Sequence, residues 1–232
     1  MTYERFCDIK RRIRIDDPDT ITHGMPRPYS QVSEWADSLI SASLAAVKVG
    51  SHFSVDEAIC EFEGHSRQKV TIKSKPTPTG LKIWILAIQG YISHWIWHTP
   101  GGALGPVGRP RRRRKKDKDD PYDINPTQAV VVKLIEALTS QTYHVYLDNL
   151  FSSPQLFLKL RQLHLGVGAT GTVRTNAGIY DKLVKAKEDD RKGRRLWPWG
   201  RIESYPTEDS LVNQIGWKDN ALVFFLSTVY RD

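Results

Sequence analysis

The stretch Tyr143–Ser153 does most to limit the folds open to this chain. Tyr143, Val145 and Leu147 alternate with His144 and Tyr146, the two-residue period of a half-buried strand, and β-branched and aromatic residues suit a pleated surface. Asp148 stands where the strand should stop. Asn149 and Ser152-Ser153-Pro154 then supply a turn, a cap and a first helical residue for a helix over 155–165. A strand followed so closely by a helix points to an α/β chain, in which the C-terminal edge of the sheet opens toward ligand. A carboxylate at that edge is a candidate for chemistry. Asp56, in His52-Phe-Ser-Val-Asp-Glu-Ala-Ile59, is a second acid in a strand pattern, and two carboxylates on separate strands can share a metal ion.

The elements before and after this stretch follow from the same periodicities. Residues 3–15 place Phe6, Ile9 and Ile13 at helical spacing opposite a basic face, which predicts a surface helix docked on the core. Residues 16–30 are turn-rich. Residues 31–48 read as a second helix with Val32, Trp35, Leu39, Ile40, Leu44 and Val47 on its apolar side and Gly50 at its end. Residues 1–50 are therefore expected to be an N-terminal helical segment, and 51–232 the main domain. Strands are expected over 53–59, 69–73, 81–88 and 91–98, with a linker at Lys75–Gly80, and their succession suggests an antiparallel meander. The run 81–88 is apolar nearly throughout, as a central buried strand would be. Asn125 as cap and Pro126 as first residue announce a helix to Leu138. Gly166–Arg174 reads as a small-residue strand. Its glycines lack the Gly-Lys-Ser/Thr of a nucleotide P-loop. Residues 178–195 are charged and partly helical, and Trp197–Gly200 is a turn. Ser210–Trp217 and Ala221–Val229 read as two strands joined at Lys218-Asp219-Asn220.

The order β-β-β-α-β-α-β suits a ribonuclease-H-like fold, a mixed sheet flanked by helices. That architecture sets a carboxylate midway along the first strand beside one at the end of the fourth. Such a pair can hold two Mg²⁺ ions for phosphodiester chemistry. The same residues read equally as caps of strands and turns.

Net charge narrows the partners. The chain carries +8 over 232 residues, so a polyanion is the expected partner, nucleic acid ahead of an anionic membrane. Much of the excess lies in Arg109-Pro-Arg111-Arg112-Arg113-Arg114-Lys115-Lys116, inside a stretch, 100–121, expected to be a disordered loop. It could be a nuclear-import signal, a clamp on a phosphate backbone or a solvated insertion. Two cysteines, Cys7 and Cys60, support neither a zinc pattern nor a disulfide framework. No apolar run reaches membrane-spanning length, and Met1–Phe6 is no signal peptide, so a reducing, non-secreted setting is expected. The seven tryptophans are expected to serve mainly in packing.

A set of short motifs in fixed order resembles the transposase domain of PiggyBac-type transposases. They are Ser54-Val-Asp56-Glu57, Phe62-Glu-Gly64, Lys75-Pro76 and Gly80-Leu-Lys82-Ile-Trp84. Further on come Leu147-Asp148-Asn149-Leu-Phe151-Ser-Ser153, Gly168-Ala-Thr-Gly-Thr-Val-Arg174-Thr-Asn176, Trp217-Lys-Asp-Asn220 and Leu226-Ser-Thr228. Tyr3–Ile15 is also similar to the family's helix upstream of the catalytic core. The resemblance implies DNA cut-and-paste transposition by a three-aspartate, Mg²⁺-dependent site: cutting at element ends, hairpin formation on the excised element and insertion at TTAA targets. Asp56 corresponds to the first catalytic aspartate and Asp148 to the second. Lys82, Arg111, Arg112, Arg113, Arg114, Lys115, Lys116 and Arg174 are the implied DNA contacts. A homodimer and a nuclear location belong to the same expectation, and a membrane does not.

The departures from the family pattern are expectations as well. The family's third aspartate lies on a helix entered through a Gly-Gly-Val-Asp motif, and this sequence reaches Asp232 before any such segment. His65 stands where the Phe-x-Gly-Arg pattern has arginine. The sequence thus reads as a transposase domain cut short at both ends, without its final catalytic helix and with two of three aspartates. The alternatives are a domesticated DNA-binding protein without chemistry and a gene fragment without selected activity.

Overall fold

In chain order the elements are α1 (Tyr3–Arg12), α2 (Arg27–Ser30), α3 (Ser33–Ala46), β1 (His52–Glu61), β2 (Lys69–Thr71), β3 (Thr79–Ile88), β4 (Tyr91–Trp97), α4 (Pro126–Glu136), β5 (His144–Leu147), α5 (Pro154–Gln162), β6 (Gly168–Thr172), α6 (Asp181–Arg191), β7 (Ile202–Pro206), β8 (Asn213–Lys218) and β9 (Leu222–Ser227). The structure is a computed structural model that describes residues 1–13, 15, 17, 25–48, 50–99, 122, 124–138, 142–162, 166–194 and 196–230. The basic stretch 100–121, expected as a disordered loop, lies outside these residues. The chain divides into one unit of residues 1–48 and 59–82 and a second, larger unit of residues 49–58 and 83–232.

In the first unit, Thr2 caps α1 by accepting from the Arg5 amide at 3.3 Å, and Lys10, Arg11 and Arg12 suit the negative end of the helix dipole. The expected docking of this helix on a core is not observed. None of its residues is buried, and Phe6, Ile9 and Ile13 are exposed. An apolar stripe states which face can be covered, not that a cover exists. In α3 only Ala36 is buried, while Trp35 and Leu39 remain exposed. That helix ends at Ala46 and turns extended at Val47, short of Gly50. β2 pairs antiparallel with the start of β3, Lys69↔Leu81 to Thr71↔Thr79, so the strand begins inside the expected linker. Gly80 is required there, because a Cβ would stand 2.1 Å from the Cys60 carbonyl oxygen.

The larger unit holds the main core. Its sheet runs β3-β1-β5-β6-β9-β8-β7, with β4 also paired to β3. β1, β5 and β6 are parallel, and β6–β9, β9–β8 and β8–β7 are antiparallel. This is the mixed sheet with flanking helices that the sequence order suggests. Phe53, Val55, Val145, Leu147 and Ala169 point from three strands into one cluster with Val130, Val131 and Leu134 of α4 and Leu156, Phe157 and Leu160 of α5. α4 starts as its sequence predicts. Asn125 and Gln128 form a reciprocal capping box, each bond 2.9 Å long, with Pro126 at the first turn. The β8–β9 hairpin is also as expected, but β7 has no sequence forecast. Ile202 is exposed, Pro206 closes the strand, and the segment is an edge paired on one side only. Trp84 and Trp197 are buried as expected of packing tryptophans, whereas Trp199 is not. No helix among the described residues is long and apolar enough to cross a membrane.

Candidate metal and nucleic-acid site

Main-chain pairing brings Asp56 and Asp148 to one level. β1 and β5 run parallel in the register His52↔His144, Phe53↔Val145, Ser54↔Tyr146 and Val55↔Leu147. Each aspartate follows the last of these pairs by one residue. Side chains alternate across a strand, so the pair that follows Val55 and Leu147 turns to the face opposite the core. Both aspartates are exposed there, on strands spaced about 5 Å apart. Asp56 lies in mid-strand, where β1 continues to Glu61, and Asp148 lies just past the end of β5.

The backbone of Asp148 is held on several sides. Its carbonyl oxygen accepts from the Phe151 amide at 3.1 Å, the Ser152 amide at 3.2 Å and Ser152 Oγ at 3.1 Å. Its Oδ1 accepts from the Asn149 amide and, at 3.4 Å, from Thr172 Oγ1. The turn is also tied to α4. Gln128 Nε2 donates to Ser153 Oγ at 2.7 Å and to the Phe151 carbonyl at 3.1 Å, and Ser153 Oγ caps α5 by accepting from the Leu156 amide at 3.2 Å. Gly171 on β6 leaves room for this turn, since a Cβ there would meet the Leu147 carbonyl and Ser152 Oγ. Asp56 Oδ1 accepts from the Glu57 amide at 2.7 Å.

Arg174 is placed beside this pair. Its Nε donates to Asn149 Oδ1 at 2.9 Å, and the residue is exposed. Lys82 belongs to the first unit, where it is half-buried on β3. Arg111, Arg112, Arg113, Arg114, Lys115 and Lys116 lie outside the described residues. The structure therefore sets Asp56 and Asp148 at one level and ties Arg174 to Asn149, the residue after Asp148, all in the larger unit. Sequence reasoning did not single out Thr172, Gly171 or Gln128. Thr172 lies two residues beyond Thr170, the partner of Tyr146 in the parallel β5–β6 register, so it shares the face of Asp148, and that register is not written in either segment alone.

The donor set suits a hard cation. Carboxylate oxygens are ligands of the kind Mg²⁺ and Mn²⁺ prefer, and Asp56 and Asp148 are the side chains at this level that could hold such an ion. Among the described residues no group of three or more His, Cys, Asp or Glu side chains converges on one point. Farther back along the same face lies a layer of rings and hydroxyls. The Tyr146 hydroxyl is 3.2 Å from His52 Nδ1, His144 Nε2 is 2.9 Å from Thr170 Oγ1, and Thr170 Oγ1 is 3.0 Å from Ser227 Oγ. Burial, and then the charge of His52, push the His144 imidazole below its usual pKa.

A family model described as transposase IS4 matches residues 1–193. PiggyBac transposable element-derived protein 2 of Homo sapiens is 32% identical over 176 residues, covering 74% of this chain and 26% of that protein. PiggyBac transposable element-derived protein 3 of Homo sapiens is 29% identical over 150 residues, covering 63% of this chain and 23% of that protein. The cryo-EM structure of a piggyBac transposase synaptic complex with hairpin DNA matches at a TM-score of 0.75 and 22% identity, over 100% of this chain and 44% of that one. The chain thus spans about a quarter of the length of these human relatives.

Proposed function

The chain belongs to the piggyBac-type transposases of the transposase IS4 family, and we propose that its larger unit is the DNA-processing core of such a protein. In this reading Asp56 and Asp148 hold Mg²⁺ and the chain takes part in cut-and-paste transposition, with phosphodiester hydrolysis at element ends and strand transfer into TTAA targets. The observation that supports it is the β1–β5 register, which sets the two carboxylates side by side by main-chain pairing alone. A divalent cation held there supplies charge neutralisation at a phosphodiester and lowers the pKa of an attacking oxygen. Thr172 restrains the Asp148 carboxylate. Arg174, held through its Nε by Asn149, keeps its two terminal nitrogens for a phosphate oxygen. Lys82 and Arg111–Lys116 add contacts to the DNA backbone, a homodimer brings two DNA ends together, and the basic run directs the protein to the nucleus.

A second reading, DNA binding without cleavage, is favoured by the net charge of +8 together with the exposed Arg174 held by Asn149, which need no metal to meet a phosphate backbone. One experiment separates the two. The chain is titrated with a TTAA-flanked duplex over a range of salt, then incubated with Mg²⁺ or Mn²⁺. Salt-dependent binding with cleavage that disappears in Asp148→Asn supports the enzymatic reading. Salt-dependent binding with no strand cleavage supports the second. Failure to bind DNA at low salt overturns both.

A further inference from the structure

We propose that His52 and His144 form a binding site for a late divalent transition-metal ion, Zn²⁺, Ni²⁺ or Cu²⁺, that clips β1 to β5. This goes beyond the hard-cation site at the carboxylates and does not depend on it. The two histidines are direct partners in the parallel register, and their ring centroids lie 5.5 Å apart. Metal–nitrogen bonds of about 2.1 Å put each imidazole centre about 3.2 Å from the ion, so two imidazoles near the tetrahedral angle have centres about 5–5.5 Å apart. The observed spacing leaves room for a shared ion.

The hydrogen bonds favour the same use. Ligating histidines characteristically give their second ring nitrogen to an oxygen partner, which fixes tautomer and ring direction. Here each ring already has one nitrogen so engaged: His52 Nδ1 with the Tyr146 hydroxyl and His144 Nε2 with Thr170 Oγ1. Thr170 is fixed in turn by Ser227, whose oxygen accepts from the Val229 amide at 3.1 Å and the Tyr230 amide at 2.9 Å. The Ser227 hydroxyl proton is therefore directed at Thr170 Oγ1, which keeps a second lone pair for an Nε2 proton of His144. The nitrogens left for the ion are His52 Nε2 and His144 Nδ1. Tyr146 stacks on both rings, with centroids 4.4 Å from His144 and 5.9 Å from His52, which restricts their rotation. His52 is exposed, so the ion has a path from solvent, and water completes its coordination.

Imidazole ligands select the late transition metals over Mg²⁺. The site also lies four residues back from Asp56 and Asp148, about 13 Å along the strands, so the two sites share no ligand. Its effect is to fasten the two strands at the opposite end of their paired stretch from the carboxylates.

The test uses the intact chain. Calorimetric titration with Zn²⁺ and with Ni²⁺ is run on the parent, on His52→Gln, on His144→Gln and on Asp148→Asn. One equivalent is expected to bind the parent and Asp148→Asn alike, each histidine substitution weakens it at least tenfold, and excess Mg²⁺ does not compete. Unchanged affinity in His52→Gln, loss of binding in Asp148→Asn, or displacement by Mg²⁺ each overturns the proposal. Because a change at the buried His144 could disturb folding, Cu²⁺ electron paramagnetic resonance on the unsubstituted chain provides an independent reading. Coupling to two imidazole nitrogens is expected, reduced to one in His52→Gln. A spectrum with oxygen ligands alone overturns the proposal.

Discussion

A Cβ placed on Gly171 would stand 2.3 Å from the carbonyl oxygen of Leu147. That oxygen belongs to the residue just before Asp148, and the same Cβ would lie 2.7 Å from Ser152 Oγ, which binds the Asp148 carbonyl. β6 can therefore close on β5 only without a side chain at this position. Gly171→Ala is expected to cost about 2–3 kcal/mol, because backbone and a fixed hydroxyl must move together. Urea unfolding measures it. A change under about 0.5 kcal/mol would show that the contact relaxes freely.

Thr172 reaches Asp148 Oδ1 from the neighbouring strand. Thr172→Val keeps the shape and removes the donor, so the fold should persist with a loss of about 1 kcal/mol. Mn²⁺ affinity is expected to fall about tenfold, as when an outer partner of a ligand is removed. Calorimetric titration with Mn²⁺ reads this without any turnover. Equal affinity in parent and variant would show that the hydroxyl does not aim the carboxylate.

Arg174 should act as one phosphate contact. Arg174→Ala is expected to weaken DNA binding and to reduce the slope of log affinity against log salt by about one. Fluorescence anisotropy at four or more salt concentrations gives that slope. A weakened affinity with the slope intact would assign Arg174 to the turn through Asn149 rather than to DNA.

Acid should unlock the far side of the larger unit. Lys218 Nζ lies 2.6 Å from Asp190 Oδ2, and the Trp197 amide donates to Asp190 Oδ1 at 3.0 Å. Lys218 first, then that amide, hold the Asp190 carboxyl below its usual pKa. A depressed carboxyl contributes stability above its unfolded pKa of about 3.9 and loses it as pH falls through the lower folded value. Asp190→Asn should therefore cost about 2 kcal/mol at neutral pH and progressively less as pH falls below the unfolded pKa. Parallel stability curves for parent and variant across that range would contradict this.

Local chemistry made part of this protein legible in its sequence. Asn125 and Pro126 start a helix by their own stereochemistry, and the alternation from Tyr143 to Leu147 needs no distant partner to be read. Packing was less legible. Phe6, Ile9 and Ile13 have helical spacing yet stay exposed, because periodicity records a capacity for burial and carries no information about the facing surface. β7 passed unseen because Ile202–Pro206 is a short edge strand ending in proline, stabilised by pairing with β8 rather than by its own pattern. The same division runs through the site. Asp56 and Asp148 stood out as acids in strands. Their common level, the reach of Thr172 and the pairing of Arg174 with Asn149 depend on register between segments many residues apart, which no single window contains.

The pairing of β1 with β5 also determines how this chain can change over descent. The spacing of the two acids is written into backbone contacts between His52–Val55 and His144–Leu147. In the proposed function, replacing either acid by its amide removes a metal ligand and leaves those contacts intact. Loss of activity and loss of shape are consequently separable events. A lineage that abandons catalysis still inherits a rigid frame with its grip points at unchanged distances, ready for recruitment to another task.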